Sequence, residues 1–206
     1  MEEKEKKQIT GLLGEMHLAM RLHKRGWQVY RAYIDSNVDF ILTKYWCTHC
    51  KKYAEIEKRK KTKGEFPTDC CAKCLKPKLI FIMRFIQVKT SEGISAKRSN
   101  KRSYSFHAKL RSNIDPRAFY AWIALVPTDD PNIVEPHFYI FHHTEIGKFD
   151  NLDLPSYQKT DNQKTTLHID GTGKITNKGR KHSFDCFNDE FYDNFDKLDK
   201  PMNYDT

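Results

Sequence analysis

The apolar run Leu79–Ile86 is the sequence feature that most constrains the fold. Seven of its eight residues are apolar, and many are β-branched or aromatic, which is typical of a central strand covered on both faces. Polar residues follow at Gln87 and Lys89. Because side chains on a strand alternate between its two faces, these two point the same way. A lysine in such a place usually has a use or a partner, although a strand that simply surfaces at Gln87 explains the pattern equally well.

The composition excludes several classes of protein. The chain has 206 residues, enough for one good-sized core and an accessory piece. With 13% aromatic residues it is too aromatic to be intrinsically disordered. No apolar run approaches the ~20 residues of a membrane helix, and the charged residues 1–7 lack the hydrophobic block of a signal peptide. We therefore expect a cytoplasmic protein without a membrane partner. The net charge of +9 favours a polyanionic partner, nucleic acid first.

Two C-x-x-C pairs separated by twenty residues predict a metal site. In a reducing compartment, cysteines at this spacing are typical of structural tetrahedral zinc, with each pair forming one knuckle. The predicted zinc ligands are Cys47, Cys50, Cys71 and Cys74. Cys70 is adjacent to Cys71, so it could replace Cys71 as the third ligand.

The segment around these cysteines is strongly basic. Between residues 47 and 78 there are ten Lys or Arg residues and four acids, an excess of +6 out of the chain's +9. We expect its tip, and a second basic loop between residues 90 and 102, to contact phosphates. A solvated loop is the alternative interpretation. The predicted nucleic-acid-binding residues are Lys58, Arg59, Lys60, Lys61, Lys63, Lys97, Arg98, Lys101 and Arg102.

The first forty residues predict a helix followed by two strands. Between residues 7 and 24, apolar residues fall at helical spacing, and Gly26 provides a stop. The expected core face of this helix consists of Ile9, Leu12, Leu13, Met16, Ala19 and Met20. Glu15 lies at the margin of that face, where its carboxylate can point into a cleft beside the core. A solvated glutamate at a helix edge is, however, the commoner case. In the second strand, Asp39 precedes three apolar residues, and a carboxylate there costs free energy unless it is paired or binds a cation.

The remaining pattern predicts further strands and turns. We expect strands at 27–33, 38–42, 119–126 and 137–142, a short helix at 144–149, a hairpin at 167–176 and a packed terminal helix from Asn188. The chain therefore mixes helices and strands.

The order of these elements resembles that of the PD-(D/E)XK nuclease superfamily, especially its restriction-endonuclease-like and Holliday-junction-resolvase-like branches. The matching pieces are Gly14-Glu15 on the first helix, Asp39 on the second strand, and Gln87-Val88-Lys89 on the third. The resemblance covers about residues 8–145 without the cysteine-rich insert. It implies an α/β fold with a mixed central sheet flanked by helices, and a zinc-ribbon-like insertion. The expected domains are a nuclease core (1–46 and 75–150), a basic zinc-binding insertion (47–74) and a C-terminal extension packed on the core (151–206).

The resemblance also implies an activity, namely Mg²⁺- or Mn²⁺-dependent hydrolysis of DNA phosphodiester bonds. The implied catalytic residues are Glu15, Asp39, Gln87 and Lys89, and the implied metal ligands are Glu15, Asp39, Gln87 and the carbonyl of Val88. Asp39 is the principal ligand, while Lys89 orients the attacking water and stabilises developing negative charge. A homodimer is expected if the protein cuts both strands.

Gln87 is a departure from the family's pattern, which has an acid at this position. An amide still offers a carbonyl oxygen, but the site has one negative charge fewer and should bind metal more weakly. The alternative function is therefore a catalytically inactive, zinc-containing nucleic-acid-binding protein on a nuclease scaffold. Asp39 and Cys47 are eight residues apart, up to ~27 Å on an extended strand, which makes the predicted zinc structural.

Overall fold

A computed structural model describes most of the chain. The described residues are 3–32, 38–54, 56–58, 69–76, 79–95, 102–109, 115–128, 130, 133–145, 164–169, 174–176, 183–185, 191–203 and 205. The helices are α1 (Glu3–Lys24) and α2 (Asp196–Asp199). The strands are β1 (Gln28–Arg31), β2 (Phe40–Cys47), β3 (Lys52–Ala54), β4 (Ile56–Lys58), β5 (Asp69–Cys71), β6 (Leu79–Ser91), β7 (Ile94–Ser95), β8 (Arg102–Lys109), β9 (Ala118–Pro127), β10 (Val134–His142), β11 (Lys164–Ile169), β12 (Lys174–Thr176) and β13 (Ser183–Asp185).

The main sheet is mixed, as expected for an α/β protein. Its strand order is β1-β2-β6-β9-β10, with β3 paired to the far end of β2. Every pairing is antiparallel except that of β6 with β9, which is parallel. The apolar run therefore forms the central strand, which continues through Gln87 and Lys89 to Ser91.

One face of the sheet is covered by α1 and the C-terminal residues. Ile86 and Val88 from β6 pack with Leu18 and Leu22 of α1 in one buried cluster, which Phe195 and Leu198 also join. The last turn of α1 carries Arg21, His23 and Lys24, which suits the helix dipole, while Glu3 and Glu5 in the first turn alternate with lysines. The helix ends before Gly26, whose positive φ of 83° reverses the chain into β1.

The predicted helix is confirmed, but its predicted core face is wrong. The buried row is Gly14, Leu18 and Leu22. Leu13 and Ala19 are partly buried, while four expected core residues are exposed, namely Ile9, Leu12, Met16 and Met20. Gly14 decides the outcome, because only a residue without a side chain lets the helix backbone approach Thr90 of β6 so closely.

The other face of the sheet is covered by a second sheet, which the sequence did not predict. Its strand order is β13-β12-β11-β8-β7. From β8, Phe106 stacks on Trp122 of β9 with ring centroids 5.4 Å apart. The loop expected between residues 90 and 102 is thus partly strand, since β6, β7 and β8 include residues 90–91, 94–95 and 102. The predicted hairpin at 167–176 is confirmed by the pairing of β11 with β12.

The C-terminal residues are tied to the core by buried ion pairs. Arg84 on β6 donates from two nitrogens to the carboxylate of Asp205 at 2.6 and 2.8 Å, and both side chains are buried. Lys44 on β2, also buried, donates to Asp199 at 2.5 Å. Of the terminal helix predicted from Asn188, only α2 is helical among the described residues, because residues 191–195 form turns and a bridge to Tyr139. Residues 143–145 are helical, and the rest of the helix predicted at 144–149 lies outside the described residues.

No described helix has both the length and the apolar character needed to cross a membrane.

Candidate functional site

The centre of the candidate site is the point where β2 stops short of β6. The last pair between these strands is Phe40 with Ile86, so β6 continues from Gln87 with β9 as its strand neighbour. Asp39 occupies the gap that follows. Its N–H donates to the carbonyl of Ile86 at 2.8 Å, and its Oδ2 accepts the N–H of Val88 at 2.5 Å. These two contacts bracket Gln87 and fix the carboxylate beside it.

The main chain of Val88 presents an oxygen at the same edge. On an extended strand the N–H and C=O groups of one residue point to the same side. Since the N–H of Val88 points to Asp39, its carbonyl is directed towards that side as well. The Val88 side chain lies in the core, so this residue offers its main chain alone to the site.

Gln87 and Lys89 lie on the face of β6 opposite Val88. They are paired in register with Tyr120 and Trp122 of β9, and both are half-buried. An amide and an amine therefore project from the same face of β6, from the residues that precede and follow Val88, as the strand alternation predicted.

Helix α1 brings Glu15 to the end of β6. A Cβ at Gly14 would lie 2.6 Å from Cγ2 and 2.9 Å from Cβ of Thr90, and nearer still to its Oγ1. The helix backbone thus touches β6 one residue beyond Lys89, and Glu15 follows directly. Its carboxylate pairs with Arg31 at 3.1 Å.

Glu15, Asp39 and Lys89 belong to one electrostatic cluster. Burial raises the pKa of Glu15; Arg31 opposes the rise, Asp39 adds to it, and Lys89 opposes it. The charges of Asp39 and Lys89 therefore lie close enough to act on Glu15, and the net result is a pKa above its ordinary value of 4.5.

The oxygen groups around Asp39 are of the chemical type that a hard divalent cation takes. Two carboxylates, the amide oxygen of Gln87 and the carbonyl of Val88 are oxygen ligands of the kind that Mg²⁺ and Mn²⁺ prefer. Asp39 also raises the pKa of Glu15, after burial as the main cause, and a cation between the two carboxylates would oppose that effect.

Sequence reasoning missed Arg31 and Thr90 at this site. Arg31 lies in an alternating strand, where a solvated arginine has the same pattern. Thr90 follows Lys89 in β6, and its Oγ1 is buried with no hydrogen-bond partner among the described residues. The close fit between Gly14 and Thr90 could be suspected from the glycine inside a helix, but its partner could not.

The four cysteines form the second candidate site. Their Sγ atoms all lie within 4.8 Å of one another, with Cys47 3.6 Å from Cys74 and Cys50 4.0 Å from Cys71. A tetrahedron with zinc–sulfur bonds of ~2.3 Å has edges of about 3.8 Å, so the cluster could hold a metal ion such as zinc. Cys70 is buried and is not a member of this cluster, so the structure brings Cys71 together with the other three cysteines.

The two knuckles have equivalent backbones. The residue after each C-x-x-C pair has a left-handed φ, 52° at Lys51 and 56° at Leu75. In the first knuckle the N–H of Cys50 donates to Sγ of Cys47 at 3.3 Å. Burial opposes ionisation of Cys47, but this and other hydrogen bonds outweigh it and lower the pKa of the thiol to about 7. Burial, followed by the neighbouring thiols, raises the pKa of Cys50 to about 12, and the pKa of Cys74 is also raised. Metal binding requires thiolates, so a metal at this cluster would displace protons from Cys50 and Cys74.

The described residues around the knuckles are basic. The exposed lysines are Lys51, Lys52, Lys73 and Lys76. Lys73 lies close enough to Lys52 to lower the pKa of Lys52 through contact between their side chains and charges. Among the predicted nucleic-acid contacts, Lys58 and Arg102 are placed by their backbones alone, at the end of β4 and the start of β8. The others lie outside the described residues, namely Arg59, Lys60, Lys61, Lys63, Lys97, Arg98 and Lys101.

The two candidate sites lie at opposite ends of β2. Asp39 immediately precedes this strand and Cys47 is its last residue. Eight steps along a strand span about 26 Å, so one metal ion cannot serve both sites.

No family model, no curated protein and no solved structure matches this chain. Its function therefore has to be inferred from its own residues.

Proposed function

We propose that this protein is a metal-dependent DNA endonuclease that hydrolyses phosphodiester bonds on a restriction-endonuclease-like core. The observation that carries the proposal is the bond from the N–H of Val88 to Oδ2 of Asp39. It holds an acid beside Gln87 and Lys89, where Glu15 also lies within electrostatic range.

The cation would be held by Asp39, Glu15, the amide oxygen of Gln87 and the carbonyl of Val88. When bound, it supplies the positive charge that neutralises a phosphate and lowers the pKa of a water molecule. Asp39 is the principal ligand because its backbone and one carboxylate oxygen are both fixed by β6.

Lys89 orients the attacking water and stabilises the negative charge that develops on the phosphate. Its position suits this role, because it is half-buried and lies two residues from Gln87 on the same face of β6. A partly desolvated ammonium group interacts more strongly with a phosphate than a fully hydrated one does.

The cysteine cluster would hold zinc as a structural ion and keep the basic segment in place. It lies at the far end of β2, so its cations would contact the DNA backbone away from the scissile bond. Phosphate contacts of this kind position a protein without reading sequence.

A second candidate function is DNA binding without cleavage. Two observations favour it: Gln87 leaves the site with one carboxylate fewer than the family's pattern, and Arg31 already compensates the charge of Glu15. If Arg31 stays paired with Glu15 when DNA is bound, the protein binds DNA through the basic zinc module and does not cut it.

Cleavage assays separate these two functions. The zinc-loaded protein is incubated with supercoiled plasmid, linear duplex, single-stranded and four-way-junction DNA, with or without added Mg²⁺ or Mn²⁺. We expect cleavage of at least one substrate only when a divalent cation is added. Asp39→Ala and Lys89→Ala should lower the rate by at least ~100-fold and leave DNA affinity unchanged.

Matched substitutions outside the site serve as controls. Asp196→Ala and Lys24→Ala remove the same charges from exposed positions and should cleave as wild type does. If wild type cuts none of the four substrates but still binds them, the protein is a binding protein and not a nuclease. If Asp39→Ala loses DNA binding together with cleavage, the role assigned to Asp39 is wrong.

A further inference from the structure

A cavity of about 400 Å³ lies where the end of α1, strands β2 and β3, and α2 meet. Its volume is within the range of ligand sites and is sufficient for one nucleotide. Among the described residues, neither the candidate cation site nor the cysteine cluster contributes to its lining. Trp46, which does line it, lies seven positions after Asp39 along β2, a distance of about 23 Å. The cavity is therefore a third place where a ligand can bind.

The acids that line the cavity are paired inside the protein. Asp199 accepts hydrogen bonds from Lys44 at 2.5 Å and from Arg25 at 2.7 Å. The indole N–H of Trp27 also donates to Asp199, at 2.8 Å. Arg25 makes a second ion pair with Asp196. The charges of the two acids are thus balanced by Lys44 and Arg25.

Two further lysines give the cavity a surplus of positive charge. Lys52 of β3 and Lys200, which follows α2, both line it and are both exposed. Neither makes an ion pair with a carboxylate in the part of the chain that the structure describes. This surplus attracts an anion. Because Lys52 also belongs to the basic surface around the knuckles, an anionic chain that crosses that surface reaches the cavity.

Trp46 supplies an aromatic surface beside these cations. Lys44 and Trp46 project from the same face of β2, since they are two residues apart on the strand, and both line the cavity. Trp46 is partly buried, whereas Trp27 and Trp122 are only 1% and 0% exposed. An accessible ring next to lysines is the combination with which proteins bind unpaired nucleotides: a base stacks on the ring, and its phosphate contacts the cations.

We propose that this cavity binds one unpaired nucleotide of a DNA strand, with the base against Trp46 and the phosphate between Lys52 and Lys200. A blunt duplex cannot fill the cavity in this way, because its bases are already paired and stacked. The protein therefore binds single-stranded DNA more tightly than duplex of the same length. The inference rests on the proposed binding of DNA and not on cleavage, and the bound nucleotide lies too far from Asp39 to be the one that is cut.

Tryptophan fluorescence tests the cavity on the zinc-loaded full chain without added Mg²⁺ or Mn²⁺. The probes are an oligothymidylate of about 12 nucleotides, a blunt duplex of the same length and thymidine 5′-monophosphate. We expect the oligothymidylate to quench the fluorescence of Trp46 and to bind at least ~10-fold more tightly than either other probe. Trp46→Phe should lose the quenching but keep its affinity for dye-labelled oligothymidylate, because phenylalanine still stacks. Trp46→Leu, which keeps an apolar side chain without a ring, should bind at least ~5-fold more weakly.

The lysines are tested by the salt dependence of the same binding. Lys52→Ala and Lys200→Ala should each weaken it and lower the slope of log affinity against log salt by ~0.7. Lys24→Ala is the matched control, because Lys24 is also exposed but does not line the cavity; it should bind as wild type does. An equal loss with Lys24→Ala overturns the phosphate contact at Lys52 and Lys200.

The outcome is independent of whether the protein cuts DNA. Asp39→Ala should show the same quenching as wild type, so a protein without nuclease activity can still confirm the nucleotide cavity. Absence of quenching by oligothymidylate overturns it, even in an active nuclease. Binding of the blunt duplex or of thymidine 5′-monophosphate as tightly as the oligothymidylate overturns it as well, and so does a Trp46→Leu protein of wild-type affinity.

Discussion

Replacing Gly14 by alanine tests the contact that positions Glu15 against β6. In a helix this change is normally stabilising, because alanine is favoured over glycine by about 1 kcal/mol. Here the new methyl group would lie 2.6 Å from Cγ2 and 2.9 Å from Cβ of Thr90. Thr90 is β-branched and sits in a strand, and turning its χ1 cannot move the Cβ. The backbone of α1 or β6 must therefore shift.

The expected cost follows from these distances. Overpacking of a fitted contact costs ~1–3 kcal/mol, which exceeds the gain in helix propensity. We expect Gly14→Ala to lower the free energy of unfolding, and the melting temperature by ~2–4 °C for each kcal/mol lost in a chain of this length. Gly11→Ala is the matched control, since a Cβ there meets nothing within 4 Å; it should stabilise the protein by ~0.5–1 kcal/mol.

Chemical denaturation followed by circular dichroism measures both effects. Thr90→Ala should be nearly neutral, because its hydroxyl is buried without a partner among the described residues. Combined with Gly14→Ala, it should recover part of the lost stability, with a coupling of at least ~0.5 kcal/mol. If Gly14→Ala stabilises the protein as much as Gly11→Ala does, the helix does not touch β6 at Gly14 and Glu15 is wrongly placed.

Three further predictions concern other parts of the structure. Cys71→Ser should lose bound zinc while Cys70→Ser keeps it, as measured by metal analysis of the purified proteins, because Cys71 alone of the two belongs to the cluster. Asp199→Ala should destabilise the protein by ~3–5 kcal/mol in urea denaturation, because it leaves the buried ammonium of Lys44 without its carboxylate. Glu15→Gln should be more stable than wild type at pH 7, and this advantage should disappear below the ordinary pKa of 4.5.

The sign of the pH effect follows from the raised pKa of Glu15. Burial is its main cause, so the folded protein holds this proton more tightly than the unfolded chain does. Loss of the proton as the pH rises therefore costs stability, and glutamine avoids this cost. An advantage of Glu15→Gln that grows as the pH falls would contradict the burial of Glu15. For Asp199, the exposed neighbour Asp196→Ala is the control; an equal loss of stability would show that Lys44 does not need Asp199.

The sequence predicted the features that depend on local patterns. The central strand could be recognised because seven of the eight residues from Leu79 to Ile86 in β6 are apolar. The cysteine pairs could be recognised because metal ligands need fixed spacing. The position of Asp39 beside Gln87 could not be predicted from either segment alone, since it depends on how far β2 pairs with β6. The placement of Asp39 directly before an apolar strand nevertheless indicated that this acid has a partner.

Other features depend on contacts between distant residues. Apolar residues lie on two sides of α1, so periodicity could not tell the face against the sheet from the exposed row; the contact of Gly14 with Thr90 decides between them. The pair of Arg84 with Asp205 joins residues 121 positions apart. An arginine inside an apolar strand indicates that a partner exists, but not which one.

Binding of Mn²⁺ tests the central claim, a cation site between Glu15, Asp39 and Gln87, most directly. Titration of zinc-loaded protein is followed by the electron paramagnetic resonance signal of free Mn²⁺, so the readout does not require cleavage. We expect binding by wild type, at least ~10-fold weaker binding by Asp39→Asn, and at least ~10-fold tighter binding by Gln87→Glu, which restores a third carboxylate. If Asp39→Asn binds Mn²⁺ as tightly as wild type, or Gln87→Glu has no effect, there is no cation site at the end of β6.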